Sequence, residues 1–279
     1  MVPIMCGRYA SAKDPDALVE EFEVEESIVE SPLPADYNVA PTKSVYAVMS
    51  PLPRDIEGSV GSVSVERQLR VAKWGLVPSW AKDRSIGSRM INARSETLAD
   101  KPAFRRAYAR RRCLLPAGGY YEWYAPQGPL EPGVPTTSKG KPKKQPFYIH
   151  RADGHSLAMA GLYEWWRDPE RDDADSWLLT ATIVTTEAAD AVGRIHDRMP
   201  VVIAEGDWAT WLDPTVNDRE VVDALMQPAL SAPLEAHPVS VRVNSVRNNG
   251  SELIEPLPLA ETVPGSVGND GFWPPPPAQ

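Results

Sequence analysis

Hydrophobic and polar positions along this chain fall mostly into short runs of strand-like spacing, and only a few stretches carry the 3.6-residue period of a helix. Asp14-Pro15 followed by Ala17, Leu18 and Phe22 gives an N-cap, a proline at the first helical position and an amphipathic helix to about Glu23. Val45 to Met49 predicts a strand, Gly58 to Ser64 a Gly/Ser-rich hairpin, and the residues leading to Trp74-Gly75-Leu76 a further strand. Lys101-Pro102 opens a short basic helix to about Arg111. Cys113-Leu114-Leu115-Pro116 then leads through Gly118-Gly119 into Tyr120-Tyr121-Glu122-Trp123-Tyr124. Phe147 to His150 and Ser156 to Trp166 flank Asp153-Gly154, a hairpin signal. Trp177 to Thr185 and Val201 to Ala204 predict strands, and Asp207 to Leu212 and Arg219 to Met226 short helices. Without a repeat or a long strand-helix alternation, the class is α+β: a single β-rich domain with a curled, barrel-like mixed sheet and short peripheral helices.

The domain is expected to span residues 6–256. Residues 1–5 form a leader that is removed or lies before the true start, 125–146 a mobile insertion loop dense in Pro, Gly, Ser, Thr and Lys, and 257–279 a disordered Pro-rich tail. At 279 residues, 42% hydrophobic and 24% charged, the chain can bury a full core and has no transmembrane run. Met1 to Ile4 lack the basic and apolar regions of a secretory signal, so a cytoplasmic location is expected, nucleoid-associated if bacterial; a monomer without membrane contact is also expected. Cys6 and Cys113 are too few for a disulfide framework, which points to a reducing compartment. The four histidines and two cysteines show no paired metal-ligand spacing, so neither a metal site nor a cofactor is expected.

A net charge of −9 speaks against nucleic acid, but its distribution changes the picture. Lys82 to Arg112 holds ten basic residues against three acidic ones, +7, leaving −16 for the rest. Such a segment is either a phosphate-binding face or a solvated helix face laced with ion pairs.

Candidate chemistry begins at Met5-Cys6-Gly7-Arg8-Tyr9. With the preceding residues removed, Cys6 is a 1,2-aminothiol, whose amine condenses with an aldehyde and whose thiol closes a five-membered thiazolidine. The same thiolate can also attack an amide. The plain alternative is a buried cysteine near a start codon. Glu122, set between Tyr121 and Trp123, suits acid/base work if its side chain turns inward, whereas strand alternation can equally turn it outward. His196 lies beside Asp197 and Arg198, either of which can tune or position an imidazole; a purely structural histidine is the competing reading. Asn92 and Arg94, two residues apart, point the same way if extended and suit a phosphate or sugar oxygen.

Seven blocks in order, Met5-Cys6-Gly7-Arg8-Tyr9, Tyr37-Asn38-Val39-Ala40-Pro41-Thr42, Trp74-Gly75-Leu76-Val77-Pro78-Ser79-Trp80, Ile91 to Thr97, Cys113 to Pro116, Gly119 to Trp123 and Ile195 to Pro200, resemble the SOS-response-associated peptidase (SRAP) family of abasic-site processing proteins. The resemblance implies a β-rich domain that binds single-stranded DNA at an abasic site. There the N-terminal cysteine traps the sugar aldehyde as a thiazolidine DNA-protein cross-link and shields the site from strand cleavage. Self-cleavage exposing the cysteine is also implied. Carried over by motif, Cys6 is the nucleophile, Asn92 holds the cysteine end or the sugar, Glu122 orients the amine and shuttles protons, and His196 assists ring opening or Schiff-base steps. Arg8, Asn38, Trp74, Arg94 and Arg198 would contact phosphates or stack on bases. The rival readings are an N-terminal-cysteine amidohydrolase of the glutamine amidotransferase kind, which lacks an attached synthase domain here, and a non-catalytic DNA reader.

Overall fold

The structure, a computed structural model, describes residues 7–51, 66–125, 135–171, 173, 176–188, 194–227, 233–264 and 266. Its strands are β1 (Tyr9–Ser11), β2 (Glu26–Ser27), β3 (Asp36–Val39), β4 (Ser44–Met49), β5 (Gln68–Trp74), β6 (Asn92–Arg94), β7 (Arg112–Ala117), β8 (Gly119–Tyr124), β9 (Gln145–Arg151), β10 (Leu157–Arg167), β11 (Trp177–Glu187), β12 (Arg198–Pro200) and β13 (Leu234–Pro238). Short helices α1 (Pro15–Glu21), α2 (Arg105–Arg110), α3 (Trp208–Leu212) and α4 (Arg219–Leu225) complete the regular structure, together with several 3₁₀ turns.

One sheet closes on itself. Strands β11, β10, β7, β4 and β5 are antiparallel neighbours in that order, and β5 returns to pair parallel with β11 at Thr180↔Lys73 and Ala181↔Trp74. Alternate side chains of this mixed barrel point inward, among them Ala47, Met49, Ala72, Trp74, Leu115, Met159, Tyr163, Ala181 and Ile183. Those of opposite parity, such as Val48, Leu69, Leu114, Ala160 and Val184, pack outward against Leu18, Phe22, Ala107, Trp208, Trp211 and Val222 of the helices. Burial on both faces explains why these strands read as nearly continuous apolar runs. A second sheet, β13-β9-β8-β1-β3, adds Tyr9, Val39, Tyr120, Tyr124, Phe147 and Ile149 to the barrel's own interior cluster. The α+β, barrel-like class expected from the sequence is thus the observed one.

Local chemistry sets several boundaries. Asp14 caps α1 by accepting the Ala17 N–H at 2.9 Å, and the helix ends at Glu21, two residues short of the expected stop, with Glu23 at φ +50°. Phe22 stacks on Trp208. Gly75 has φ +123°, and a Cβ there would stand 2.5 Å from the Gly87 carbonyl oxygen, so this position needs glycine to bring the β5–β6 connection back on itself. The basic helix starts at Arg105, not Lys101, because Lys101 to Phe104 form turns that accept the first helical N–H groups.

The Asp153-Gly154 turn exists, with Gly154 at φ +76°, but it does not make a hairpin. β9 pairs with β8 and β13, whereas β10 pairs with β7 and β11. Arg151 grips Asp153 through two hydrogen bonds and Glu21 takes both the N–H and hydroxyl of Ser156, so the corner sends the chain from one sheet to the other. The strand expected over Val201 to Ala204 is instead β12, followed by a single bridge at Val202.

Two segments expected to lie outside the core pack on it in part. Gln145 and Pro146 belong to β9, and the buried Gln145 amide donates to the carbonyls of Pro146 and Val239 and accepts the Val263 N–H. Beyond Pro256, the Leu257 N–H reaches the Pro238 carbonyl, and Val263 and Ser266 are buried. The chain thus stays on the domain to Ser266, because the Gln145 amide supplies an acceptor there. The Gly58 to Ser64 hairpin, the leader, residues 126–134 of the loop and residues 267–279 of the tail lie outside the described residues.

Candidate active site

The β1–β8 register organises the site. Tyr9 pairs with Tyr120, and the Tyr121 N–H donates to the Arg8 carbonyl at 3.0 Å, so Gly7 comes level with Glu122. Cys6, the next residue, lies outside the described residues. Glu122 is buried, at 3% exposure. It shares the face of Tyr120 and Tyr124, which line the interior cluster, while Tyr121 and Trp123 turn the other way onto Val239, Val243 and Leu253. The inward reading of its position therefore holds.

Three other segments border the same interior cluster. Ala93 turns into the helix-side cluster, which leaves Asn92 and Arg94 on the opposite face of β6; Asn92 is half-buried and Arg94 exposed. Ile91, preceding Asn92, and Ile195 and Met199, flanking His196, all join the cluster containing Tyr120 and Tyr124. The Trp74 indole N–H donates to the Ile91 carbonyl at 2.9 Å and fixes the approach to Asn92. Lys144, beside the Gln145 that pairs with Tyr124, is near enough to His196 to lower its pKa.

His196 is held at Nδ1. The Arg198 N–H donates to it at 3.1 Å, and Asp197 Oδ1 lies 2.9 Å from the same atom. Only a protonated Nδ1 could donate to Asp197, so the two contacts belong to different protonation states. Burial, then Lys144, pushes the imidazole pKa below its ordinary value despite the opposing pull of Asp197, which favours the neutral ring and the Arg198 contact. Arg198 is itself clamped: Glu96 takes two hydrogen bonds at 2.5 and 3.0 Å, and the Thr185 carbonyl one at 2.6 Å. These bonds from Arg198 hold the Glu96 carboxyl below its ordinary range.

Of the residues expected at a DNA surface, Asn38 and Trp74 are buried in the framework and Arg8 is half-buried against it. Asn38 is fully buried, accepts from Arg8 at 2.6 Å and donates to the carbonyls of Val243, Ser245 and Asn248. Arg8 also donates to the Val243 carbonyl at 2.7 Å. Trp74 is fully buried against Tyr9. These side chains hold the strands that carry the site, and a buried indole or amide has no face left for a base or phosphate.

Nor is the basic segment one surface. Arg112 is buried and donates to the carbonyls of Tyr108, Ala109, Trp211, Asp213 and Val216, while Arg111 pairs with the buried Glu164 at 2.5 Å. On the α1 side a groove is lined by Glu20, Glu21, Glu23 and Glu205 beside Lys13 and His155, a poor place for phosphate. Sequence reasoning missed Glu96 and the Val241–Asn244 turn, whose Asn244 accepts from the Trp123 indole. The short spacing from Arg94 to Glu96 was the available signal for Glu96. Among the described residues, no group of three or more His, Cys, Asp or Glu is placed to hold a metal ion, and no helix is long and apolar enough to cross a membrane.

The chain is similar to several known proteins. Similar relatives include abasic site processing protein YoqW of Bacillus subtilis, 37% identical over 90% of this chain and 99% of the relative, and abasic site processing protein YedK of Escherichia coli, 31% identical over 91% and 100%. The chicken abasic site processing protein HMCES is 35% identical over 70% of this chain and 60% of its own length. Among solved structures, a Bacteroides thetaiotaomicron protein matches with a TM-score of 0.71 at 22% identity, over 90% of this chain and all of the other, which supports the fold. The model of the SOS response associated peptidase (SRAP) family matches residues 5–246, and this chain belongs to that family.

Proposed function

We propose that the protein is an abasic-site processor: it binds single-stranded DNA and captures the aldehyde of the abasic sugar on Cys6 as a thiazolidine. The observation that carries this reading is the strand register bringing Gly7, the described residue that follows Cys6 in sequence, level with the buried Glu122. The naming of the relatives as abasic site processing proteins supports the substrate.

Residues 1–5 must be absent from the active form, by self-cleavage or by a start at Met5, because only a free α-amine can condense. Opening the sugar hemiacetal takes a proton from the anomeric hydroxyl and delivers one to the ring oxygen. In this reading Glu122 and His196 are the groups that move them. The Cys6 amine then adds to the aldehyde carbon, water leaves to give the imine, and the Cys6 sulfur adds to that carbon while its proton passes to the nitrogen. Asn92 holds the cysteine end or the sugar, and Arg94, exposed on the same face, takes a phosphate. Arg8, Asn38, Trp74 and Arg198 act from behind, by holding these elements. The protein works as a monomer, in the cytoplasm or nucleoid.

Intact mass after mixing with an abasic single strand tests the reading. The expected product begins at Cys6 and is heavier by the oligonucleotide less one water, and Cys6→Ala gives none. A stable adduct in Cys6→Ala without reductant, or an active wild type retaining Met1 or Met5, would overturn the aminothiol mechanism. Unaltered mass with retained DNA binding would make the protein a non-catalytic reader.

A further inference from the structure

Glu96 has no part in the chemistry above, yet it is firmly held beside the site. Both its carboxylate oxygens accept from Arg198, whose side chain is 9% exposed and which also donates to the Thr185 carbonyl at the edge of β11. Such a fork-on-fork pair fixes the plane and position of the guanidinium as well as its charge. The backbone N–H of the same Arg198 reaches His196 Nδ1. A neutral imidazole nitrogen that accepts from an N–H carries no proton, so the ring's proton sits on Nε2. Asp197, 2.9 Å from Nδ1, favours the opposite tautomer, but its side chain is 86% exposed and weakened by solvent.

We infer that Glu96 is a positioning residue: by clamping Arg198 to the edge of β11 it keeps the Arg198 N–H on His196 Nδ1 and makes Nε2 the donating nitrogen of the resting imidazole. The inference rests on the proposed function for its consequence, a hydrogen-bond donor offered to the sugar oxygen that gains a proton as the hemiacetal opens. Two charged groups bear on the ring, Asp197 from its own segment and Lys144 from just before β9, and the Arg198 backbone N–H, at the start of β12, is its hydrogen-bond partner; Glu96, in the turn after β6, reaches the ring only through Arg198. Lys144 and burial both disfavour a second proton, so the choice lies between the two neutral tautomers, and the clamp decides it.

The test uses the full chain with histidine-selective ¹⁵N labelling. In the free protein His196 is expected as the Nε2–H tautomer. Glu96→Gln keeps the shape of the side chain and removes its charge, and should lower the ratio of Nε2–H to Nδ1–H at least threefold. With saturating abasic single strand, adduct formation should slow about tenfold, a fraction of what general acid/base catalysis contributes. Affinity for an undamaged strand should stay level or tighten, since a negative charge is lost. Glu96→Asp should restore part of both the ratio and the rate, which a mere loss of surface charge does not predict. An unchanged tautomer ratio in Glu96→Gln overturns the inference, whatever the rate does. If wild type forms no adduct, the proposed function fails while the tautomer ratio still decides the role of Glu96.

Discussion

Replacing Asn38 with alanine separates a framework residue from a DNA contact. The amide is fully buried and joins three parts of the chain: it accepts from Arg8 on one side and donates to Val243, Ser245 and Asn248 on the other. Its two N–H groups serve three carbonyls, so two net hydrogen bonds at about 1 kcal/mol each are lost there. The Arg8 bond is charge-assisted, but Arg8 keeps the Val243 carbonyl, so its loss costs about 1.5 kcal/mol, the low end for charged partners. The total is roughly 3–4 kcal/mol, which for a domain of this size lowers the melting temperature by about 6–16 °C. Thermal unfolding by circular dichroism measures this, and anisotropy with a labelled single strand, well below the transition, measures binding. The dependence of binding on salt should keep its wild-type slope. If Asn38→Ala melts within 2 °C of wild type and its salt slope becomes shallower by about 0.7, the value for one phosphate contact on a single strand, then the amide touches DNA and the framework argument fails.

His196→Ala should slow adduct formation about 10²-fold at neutral pH, the lower range for general acid/base catalysis, as followed by gel-resolved cross-linking. His196 and His237 both have pKa values lowered by burial, so the unfolded chain binds more protons below about 6.5 and stability should fall as pH drops through that value. A melting temperature that rises on acidification from pH 7 to 5.5 would reverse that sign. Arg112→Ala should cost about 3–5 kcal/mol, because it leaves five carbonyls without their buried cation, whereas Arg105→Ala should stay within about 0.5 kcal/mol in urea titrations. Binding to undamaged single strands should show a log–log salt slope no steeper than about −3, the value for four phosphate contacts; a slope near −5, about seven contacts, would bring the three exposed α2 arginines into the interface.

What could be read from the chain depended on whether a residue's role is local. The N-cap at Asp14, the strand over Val45 to Met49 and the face shared by Asn92 and Arg94 follow from period and turn chemistry within a few residues. The pairing of β9 and β10 did not follow, since the Asp153-Gly154 turn is compatible with a hairpin and only Arg151, Glu21 and the neighbours of each strand decide otherwise. The inward turn of Glu122 was undecidable from alternation, because Tyr121 and Trp123 are as apolar as Tyr120 and Tyr124 and both faces of β8 are covered. The family resemblance implies DNA contacts for Asn38 and Trp74, whose burial could not be read locally because the carbonyls they serve lie up to about 210 residues away in sequence.

Charge was the most misleading signal, and the reason is physical. A guanidinium is as good a partner for backbone carbonyls as for phosphate, so a barrel whose turns and short helices end inside the fold consumes arginines to satisfy them. Arg8 holds the Val241–Asn244 turn, Arg112 gathers the carbonyl ends of α2 and α3, and Arg198 secures the edge of β11. Within the basic segment Arg112 and the Glu164-paired Arg111 are engaged by the fold, which leaves Arg94, the exposed Lys82, Arg84 and Arg89 of the β5–β6 connection and the exposed Lys101, while Arg105, Arg106 and Arg110 project from a helix packed on the barrel's outer wall. Arg94 stands on the face of β6 opposite that helix layer. Recognition built on few cations would be weak in phosphate contacts, and under the proposed function durable engagement would then depend on the bond formed at Cys6. Under the proposed function, the Cys6 chemistry and the modest cationic face are two halves of one requirement: a protein that held its DNA covalently would have little need of a broad basic surface.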